Sequence, residues 1–221
     1  HDLNHLAKIT SMGACGDVVR NTMASPVADL DPAYENLGVN LQVLAKSISD
    51  YFLPETSSYY DLWLNDDKVT VHENDTFTYA DEGSDIEEPI YGKTYLPRKF
   101  KIGVATDFDN SVDVYTQDVG IIAVTENGKA IGFEITAGGG LGYSHGRSGA
   151  TYARSGSTVA FVQEDDVIPI IEAIVKVQRD FGDRTNRKHA RLKYTIDDLG
   201  FDVFRAKVVD YAGKDFPAPK G

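Results

Sequence analysis

The pattern of apolar positions predicts two amphipathic helices. Between residues 39 and 52, apolar side chains recur at three- and four-residue steps along one face. A second run extends from about residue 166 to residue 181, with Asp165 or Asp166 as its N-cap and Pro169 in its first turn. The buried stripe of this second helix is expected to contain Ile170, Ile171, Ile174, Val175 and Phe181.

A third helix is predicted near the C-terminus. Thr195 and Asp198 have the spacing of a capping box, which indicates a helix start, and apolar positions at helical spacing continue from there to Gly213. Residues 214–221 contain two prolines and a glycine, a composition typical of a linker.

Two β-rich runs, residues 120–126 and 130–137, are joined by Asn127-Gly128. Asn-Gly between two such runs is a strong short-range signal for a β-hairpin. Strands and helices come in mixed order rather than in strict alternation. We therefore predict an α+β fold, with a mixed, largely antiparallel sheet flanked by helices.

Composition narrows the possible functions. The 221 residues are enough for one sizeable core, and no apolar run is long enough for a membrane helix. The single cysteine, Cys15, excludes an internal disulfide or a complete cysteine-ligated iron–sulfur cluster within this sequence, and it fits a reducing, cytoplasm-like compartment. The formal net charge of -12 argues against general affinity for nucleic acid.

Charge is nevertheless segregated along the chain. Residues 65–88 contain nine acids and one lysine, which predicts a solvated, protruding loop or hairpin remote from the basic residues. Residues 176–193 contain seven bases and two acids. This basic segment either faces an anion or is a solvated helix end followed by a basic loop, and charge spacing alone does not separate these readings.

A lysine pair lies on one predicted strand around residues 99–105. Because alternate side chains of a strand point to opposite faces, Phe100 and Ile102 are expected to be buried, while Lys99, Lys101 and Gly103 share the other face. Two adjacent ammonium groups repel each other, so an anion is expected there, with Gly103 leaving room for it. The alternative is an edge strand protected by exposed lysines.

Four segments resemble motifs of the sulfite and nitrite reductase hemoproteins. They occur in the order found in that family and together span most of the chain. The segments are Gly16-Asp-Val-Val-Arg-Asn21, Gly92-Lys-Thr-Tyr-Leu-Pro-Arg-Lys-Phe-Lys101, Gly138-Gly-Gly-Leu141 with Thr151-Tyr-Ala-Arg154, and the basic stretch from Gln178 to Thr195.

The resemblance implies a bound siroheme, a tetrapyrrole rich in carboxylates that needs a matching set of donors. By position in the motifs, Arg98 and Arg191 are expected to pair with these carboxylates, with Arg191 standing where a lysine is expected in close relatives. Asn21 is expected to contact the cofactor. Gly138, Gly139 and Gly140 either form a tight turn or allow the backbone to approach the tetrapyrrole ring.

The resemblance also implies the six-electron reduction of sulfite to sulfide, with Arg20, Lys99 and Lys101 binding the oxyanion and supplying protons. Sulfite is favoured over nitrite because Lys101 stands where the nitrite-reducing branch tends to have asparagine. A ferredoxin-dependent nitrite reductase fragment is the alternative. A non-catalytic anion- or tetrapyrrole-binding module and an RNA-binding module are two further readings.

The sequence is expected to be a catalytically incomplete part of a longer reductase. Residues 1–12 are predicted to end a preceding ferredoxin-like half-domain, residues 13–213 to form the siroheme-binding domain, and residues 214–221 to lead into the remaining half of the polypeptide. The 4Fe-4S cluster ligands are expected outside this segment. The expected partners are sulfite or nitrite and an electron donor, either ferredoxin or a flavoprotein subunit, with no nucleic acid and no membrane.

Overall fold

The computed structural model describes residues 17–28, 30–54, 62–64, 67–71, 77–79, 87–143 and 151–217. Its strands are β1 (Val19–Ala24), β2 (Leu62–Leu64), β3 (Asp67–Val71), β4 (Phe77–Tyr79), β5 (Phe100–Thr106), β6 (Val119–Glu126), β7 (Lys129–Ala137) and β8 (Ser157–Val162). Its helices are α1 (Leu41–Tyr51), α2 (Glu164–Phe181), α3 (Leu192–Leu199) and α4 (Phe201–Ala212).

The main sheet has five strands in the order β1-β5-β6-β7-β8. The pairs β1–β5 and β5–β6 are parallel, whereas β6–β7 and β7–β8 are antiparallel. The α+β fold with a mixed sheet is therefore confirmed. In its antiparallel half, a tight turn joins only β6 to β7, since residues 138–156 separate β7 from its other antiparallel neighbour, β8.

The acidic residues 65–88 overlap a second, smaller sheet, in which β2, β3 and β4 form an antiparallel meander. The side chains of these strands lie outside the described residues, so their distance from the basic residues stays a prediction. Only the end of the acidic stretch is described in full, and there Glu88 is buried.

The predicted hairpin is confirmed as β6 and β7. Asn127 and Gly128 have φ values of 53° and 77°, the left-handed conformation that a two-residue type I′ turn requires at both central positions. The turn thereby places two long strands side by side in the centre of the sheet.

The core lies between the sheet and the helices. Helix α1 packs on β1, and α2 packs on β7 and α4. On α1 the apolar face is buried as predicted, with Leu41, Leu44 and Ile48 almost inaccessible to solvent. No described helix is long and apolar enough to cross a membrane.

Helix α2 begins earlier than its predicted N-cap. It starts at Glu164, and its N-cap is Gln163, whose side chain forms no capping hydrogen bond. The first turn instead carries three acids, Glu164, Asp165 and Asp166, which favour the positive end of the helix dipole. Pro169 consequently lies inside the helix rather than in its first turn. The predicted buried stripe is confirmed except at Phe181, which is 42% exposed at the end of the helix.

The predicted capping box is wrong. Thr195 lies within α3 and is buried, and its hydroxyl donates a hydrogen bond to the Oε1 atom of Gln178 at 2.7 Å. The Nε2 atom of Gln178 donates in turn to the carbonyl oxygen of Ala190 at 2.9 Å. Gln178 thus ties α2 to the start of α3, while Gly200, with φ of 81°, separates α3 from α4.

Helix α4 ends at Gly213, as predicted, in the left-handed conformation. The linker over residues 214–221 and the other domain boundaries stay predictions. The described part of that segment lies against the domain, since Phe216 is buried and the carbonyl oxygen of Pro217 accepts a hydrogen bond from the Phe161 N–H.

The buried bond between Thr195 and Gln178 gives a test of this packing. We expect Thr195→Val, which keeps the shape but removes the hydroxyl, to lower the free energy of unfolding by about 1–3 kcal/mol because Oε1 of Gln178 loses its donor inside the core. The measurement is urea unfolding. Thr116→Val is the control, since its exposed hydroxyl bonds a carbonyl that water can reach; equal losses in both variants would contradict the packing.

Candidate anion-binding site

The first cationic residue of the site lies at an irregularity between β1 and β5. Val19 pairs with Phe100 and Asn21 pairs with Lys101, so Arg20 is an extra residue at a bulge. Bulges re-aim side chains and are frequent beside active sites. The bulge brings Arg20 near Lys99, while Asn21 lies in register with Lys101 and is exposed.

The two lysines flank the start of β5 as the sequence predicts. Phe100 and Ile102 are buried, whereas Lys99 and Lys101 are partly exposed. The expected role of Gly103 is wrong, because a Cβ atom there would lie 2.9 Å from the side chain of Gln117. The space beside Gly103 is therefore filled by the protein rather than left for an anion.

Four other cations lie close enough to Lys99 to affect its titration. Burial lowers the pKa of Lys99, and the positive charges of four neighbours lower it further. We call Lys99 and these neighbours the cation cluster, and the neighbours are Arg20, Lys101, Arg98 and Arg191. The fold thus holds Lys99 within range of four like charges that repel it.

Three members of the cation cluster have side chains that form no hydrogen bond or ion pair with another described residue. These are Arg98, Lys99 and Lys101. Arg191 differs from them, because it pairs with the buried Asp118, with 2.9 Å between Nη2 and Oδ1. The positive charges of Arg98, Lys99 and Lys101 therefore lie close together without an ion-pair partner among the described residues, an arrangement that attracts anions.

The glycine turn, residues 138–140, is close-packed against the protein itself. A Cβ atom on Gly139 would lie 2.2 Å from the Tyr115 carbonyl oxygen, and one on Gly140 would lie 2.8 Å from Nη1 of Arg191. Gly138 has φ of 84°, which favours glycine. Glycine is thus required at Gly138 by its backbone conformation and at Gly139 by backbone packing, whereas at Gly140 the neighbour is the end of the Arg191 side chain. Contact of the turn with a cofactor stays a prediction.

Lys193 forms hydrogen bonds with the backbone of this turn. Its ammonium group donates to the carbonyl oxygens of Gly140 and Gly142, each at 3.1 Å, and to that of Tyr152. Lys193 is buried, and the pKa of its amine is lowered mainly by that burial. Lys193 belongs to the basic segment that was predicted either to face an anion or to be a solvated helix end with a basic loop, and its three carbonyl contacts fit neither reading.

Most of the basic segment, residues 176–193, is used in the same way. Arg179 and Arg184 donate to backbone carbonyls of residues 90–95 and fasten that loop to the end of α2. Six of the seven bases have partners within the described chain, namely Lys176, Arg179, Arg184, Arg187, Arg191 and Lys193. The segment as a whole is therefore not an open anion pocket, and only Arg191 joins the cation cluster.

One acid at the end of the acidic stretch lies near this segment. The Glu87 carboxylate is close to the Arg179 side chain, since both border the space beside Gly92. Glu87 also contributes to raising the pKa of Arg179, after the larger effect of Asp180. Arg179 does not belong to the cation cluster, so this contact does not give Arg98, Lys99 or Lys101 an ion-pair partner.

The sequence matches the family described as "Nitrite and sulphite reductase 4Fe-4S domain" over residues 15–216. The chain belongs to this family. It is 46% identical to the "Sulfite reductase [NADPH] hemoprotein beta-component" of Shewanella sp. (strain ANA-3) over 94% of this chain and 34% of that protein. It is 47% identical to the protein of the same name from Shewanella loihica, again over 94% of this chain and 34% of the relative.

A solved structure shares the fold of this family member. The structure of Mycobacterium tuberculosis NirA protein aligns with a TM-score of 0.63 and 23% sequence identity, covering 94% of this chain and 30% of that one. The chain thus spans about a third of the length of these relatives. Cys15, the single cysteine of the sequence, lies outside the described residues.

The pKa of Lys99 provides a direct test of the cation cluster. We expect Arg20→Gln and Lys101→Gln each to raise the pKa of Lys99 toward its ordinary value, because each removes a neighbouring positive charge. The measurement is a pH titration of the Lys99 side-chain carbon resonances by NMR. Lys129→Gln, which removes an exposed charge at the hairpin, should leave this pKa unchanged. An unchanged value in all three variants would show that the cations do not interact.

Proposed function

We propose that this chain is the siroheme- and oxyanion-binding part of an assimilatory sulfite reductase. Family membership supports a reductase of this class, and the relatives named above are sulfite reductase hemoproteins. The observation that carries the proposal is the cation cluster, in which Arg20 and Lys101 lie near Lys99 and the ammonium groups of the two lysines have no ion-pair partner among the described residues. An oxyanion substrate and a polycarboxylate cofactor both require such a set.

The residues present fit a siroheme. Arg98 has no partner among the described residues and is free to bind a carboxylate of the macrocycle, and Arg191 presents donors beside the glycine turn. Asn21 lies next to Lys101 in register and is exposed, so it can reach the same cofactor. We assign cofactor binding to these three side chains and to the backbone of residues 138–140.

The residues do not fit the 4Fe-4S cluster that the family description names. One cysteine cannot supply the thiolates that such a cluster requires. We therefore place the cluster ligands elsewhere in the longer reductase and assign no step of the reaction to this chain's Cys15.

Siroheme, when bound, would supply the iron at which the oxyanion is reduced. Arg20, Lys99 and Lys101 would bind and orient the oxyanion through charge-assisted hydrogen bonds and would stabilise negative charge that develops during reduction. Lys99 is suited to proton donation, because its lowered pKa makes its ammonium group a stronger acid than an ordinary lysine. Protons from these groups would leave with the substrate oxygens as water.

Sulfite is the proposed substrate. It carries one or two negative charges near neutral pH, whereas nitrite carries one, so two lysines beside Arg20 favour sulfite. The name of the relatives also includes NADPH. We propose that electrons reach this reductase from NADPH through a separate flavoprotein subunit.

Substitution of Lys101 tests the choice of substrate. In the full-length reductase, Lys101→Asn should lower sulfite turnover by about tenfold to a thousandfold, as is typical when one positioned charge or proton donor is lost. It should spare nitrite turnover, because nitrite needs less positive charge. The measurement is steady-state kinetics with each substrate and a common artificial electron donor.

Two variants calibrate that experiment. Lys99→Ala should slow the reduction of both substrates, because Lys99 is the central member of the cation cluster. Lys129→Asn, which removes an exposed charge on the hairpin, should change neither rate. Equal losses on sulfite and nitrite in Lys101→Asn would mean that Lys101 is a general structural cation and would remove the basis for choosing sulfite.

A further inference from the structure

Asp118, at the end of the loop that leads into β6, is a buried acid beneath the cation cluster. Its side chain is only 1% exposed, and its two carboxylate oxygens contact two different members of the cluster. Oδ1 accepts hydrogen bonds from Nε and Nη2 of Arg191, at 3.3 and 2.9 Å. Oδ2 accepts from the backbone N–H of Lys101 at 3.1 Å.

The same residue is tied to the glycine turn. The backbone oxygen of Asp118 accepts a hydrogen bond from the N–H of Gly138 at 2.8 Å. Arg191 adds a bond from Nη2 to the carbonyl oxygen of Gly139 at 3.3 Å. Asp118 therefore links β5, the glycine turn and the N-cap of α3, the three segments that carry Lys101, residues 138–140 and Arg191.

These contacts fix one edge of the Arg191 guanidinium and leave the other available. Nε and Nη2 are bound to Asp118, whereas Nη1 forms no hydrogen bond with a described residue. Nη1 lies 2.8 Å from the place that a Cβ atom of Gly140 would occupy and 4.0 Å from that of Gly142. The available N–H donors thus lie along the glycine turn, and the Arg191 side chain as a whole is 20% exposed.

We propose that Asp118 is a positioning residue for Arg191. It holds the guanidinium side-on so that the donors of Nη1 bind a carboxylate of the tetrapyrrole beside Gly140. The identity of this ligand rests on the proposed function, but the orientation rests on the contacts alone. Partners that orient a ligand-binding side chain in this way typically contribute ten- to a hundredfold to affinity.

A positioning role and a purely electrostatic role of Asp118 predict opposite changes in siroheme affinity when Asp118 is replaced by asparagine. Asp118→Asn removes a negative charge beneath the cation cluster, so electrostatics alone would tighten the binding of an anionic cofactor. The asparagine oxygen can still accept from the Lys101 N–H, but its amide group faces Arg191 with donors instead of an acceptor. If Asp118 acts by orienting Arg191, the variant binds siroheme more weakly despite its more positive site.

The experiment measures siroheme affinity in the full-length reductase, from absorbance titration of the siroheme-free protein. We expect Asp118→Asn to weaken binding by about tenfold to a hundredfold, as for other orienting partners. The double variant Asp118→Asn/Arg191→Gln should be no weaker than Arg191→Gln alone, because Asp118 acts through Arg191. Unchanged or tighter binding in Asp118→Asn, or losses that multiply in the double variant, would overturn the proposal.

Asp215→Asn is a matched control. Asp215 also pairs with an arginine, Arg205, and accepts a backbone N–H, that of Phe216, but it lies outside the cation cluster. This variant changes the net charge by the same amount and should bind siroheme like the wild type. A comparable loss in Asp215→Asn would show that the effect of Asp118→Asn is not specific to Arg191 and would overturn the positioning role.

A second readout needs neither a variant nor siroheme. In the wild-type protein, the Arg191 Nε–H should exchange with water slowly, because Asp118 holds it, whereas the exposed Arg187, with its single bond to Asp17 at 3.3 Å, should exchange quickly. Equally fast exchange would overturn the positioning role even if Asp118→Asn does not fold. A wild-type reductase that binds no siroheme, with slow Arg191 exchange, would instead overturn the proposed function and the ligand while leaving the orientation supported.

Discussion

Mutual repulsion among the members of the cation cluster is the constraint to which the rest of this structure responds. Like charges held together raise the free energy of the folded protein, and the neighbouring cations add to the effect of burial in lowering the pKa of Lys99. The parallel pairing of β1 with β5 holds Arg20 and Asn21 beside Lys99 and Lys101, and the buried apolar face of β5 anchors the lysines from behind. The proposed use of this costly arrangement is the binding of an anion.

One acid moderates this repulsion without removing it. Asp118 compensates Arg191 and accepts from the Lys101 N–H, but the ammonium groups of the two lysines remain without an ion-pair partner among the described residues. The other bases of residues 176–193 are mostly engaged with carbonyls and carboxylates of the chain itself. Apart from Lys188, the basic segment thus divides into bases that bind groups of the chain itself and Arg191, which also belongs to the cation cluster.

Local chemistry made part of this structure predictable. The Asn127-Gly128 turn depends on two left-handed residues, and the alternation around Phe100 depends only on strand geometry, so both follow from short stretches of sequence. Arg20, Lys99 and Lys101 were predicted as catalytic residues from the resemblance to family motifs. By contrast, Asp118 meets Arg191 across 73 positions of sequence, and Thr195 looked like a helix cap because its buried partner Gln178 is invisible to local spacing. The bulge at Arg20 likewise exists only once β1 has paired with the distant β5.

The same limit explains the error over Gly103, which was expected to leave room for an anion, whereas the space beside it is occupied by the distant Gln117. The glycine turn fits the tight-turn reading, since Tyr115 and Arg191 lie against it, and its contact with a cofactor stays a prediction. The most direct test of the role assigned to the cation cluster is a crystal structure of the full-length reductase with siroheme and sulfite bound. The cation cluster should then contact both ligands, with the oxyanion within hydrogen-bond distance of the Lys99 and Lys101 ammonium groups. Siroheme on another face of this domain, with the two lysines in contact with solvent alone, would contradict the role assigned to the cluster.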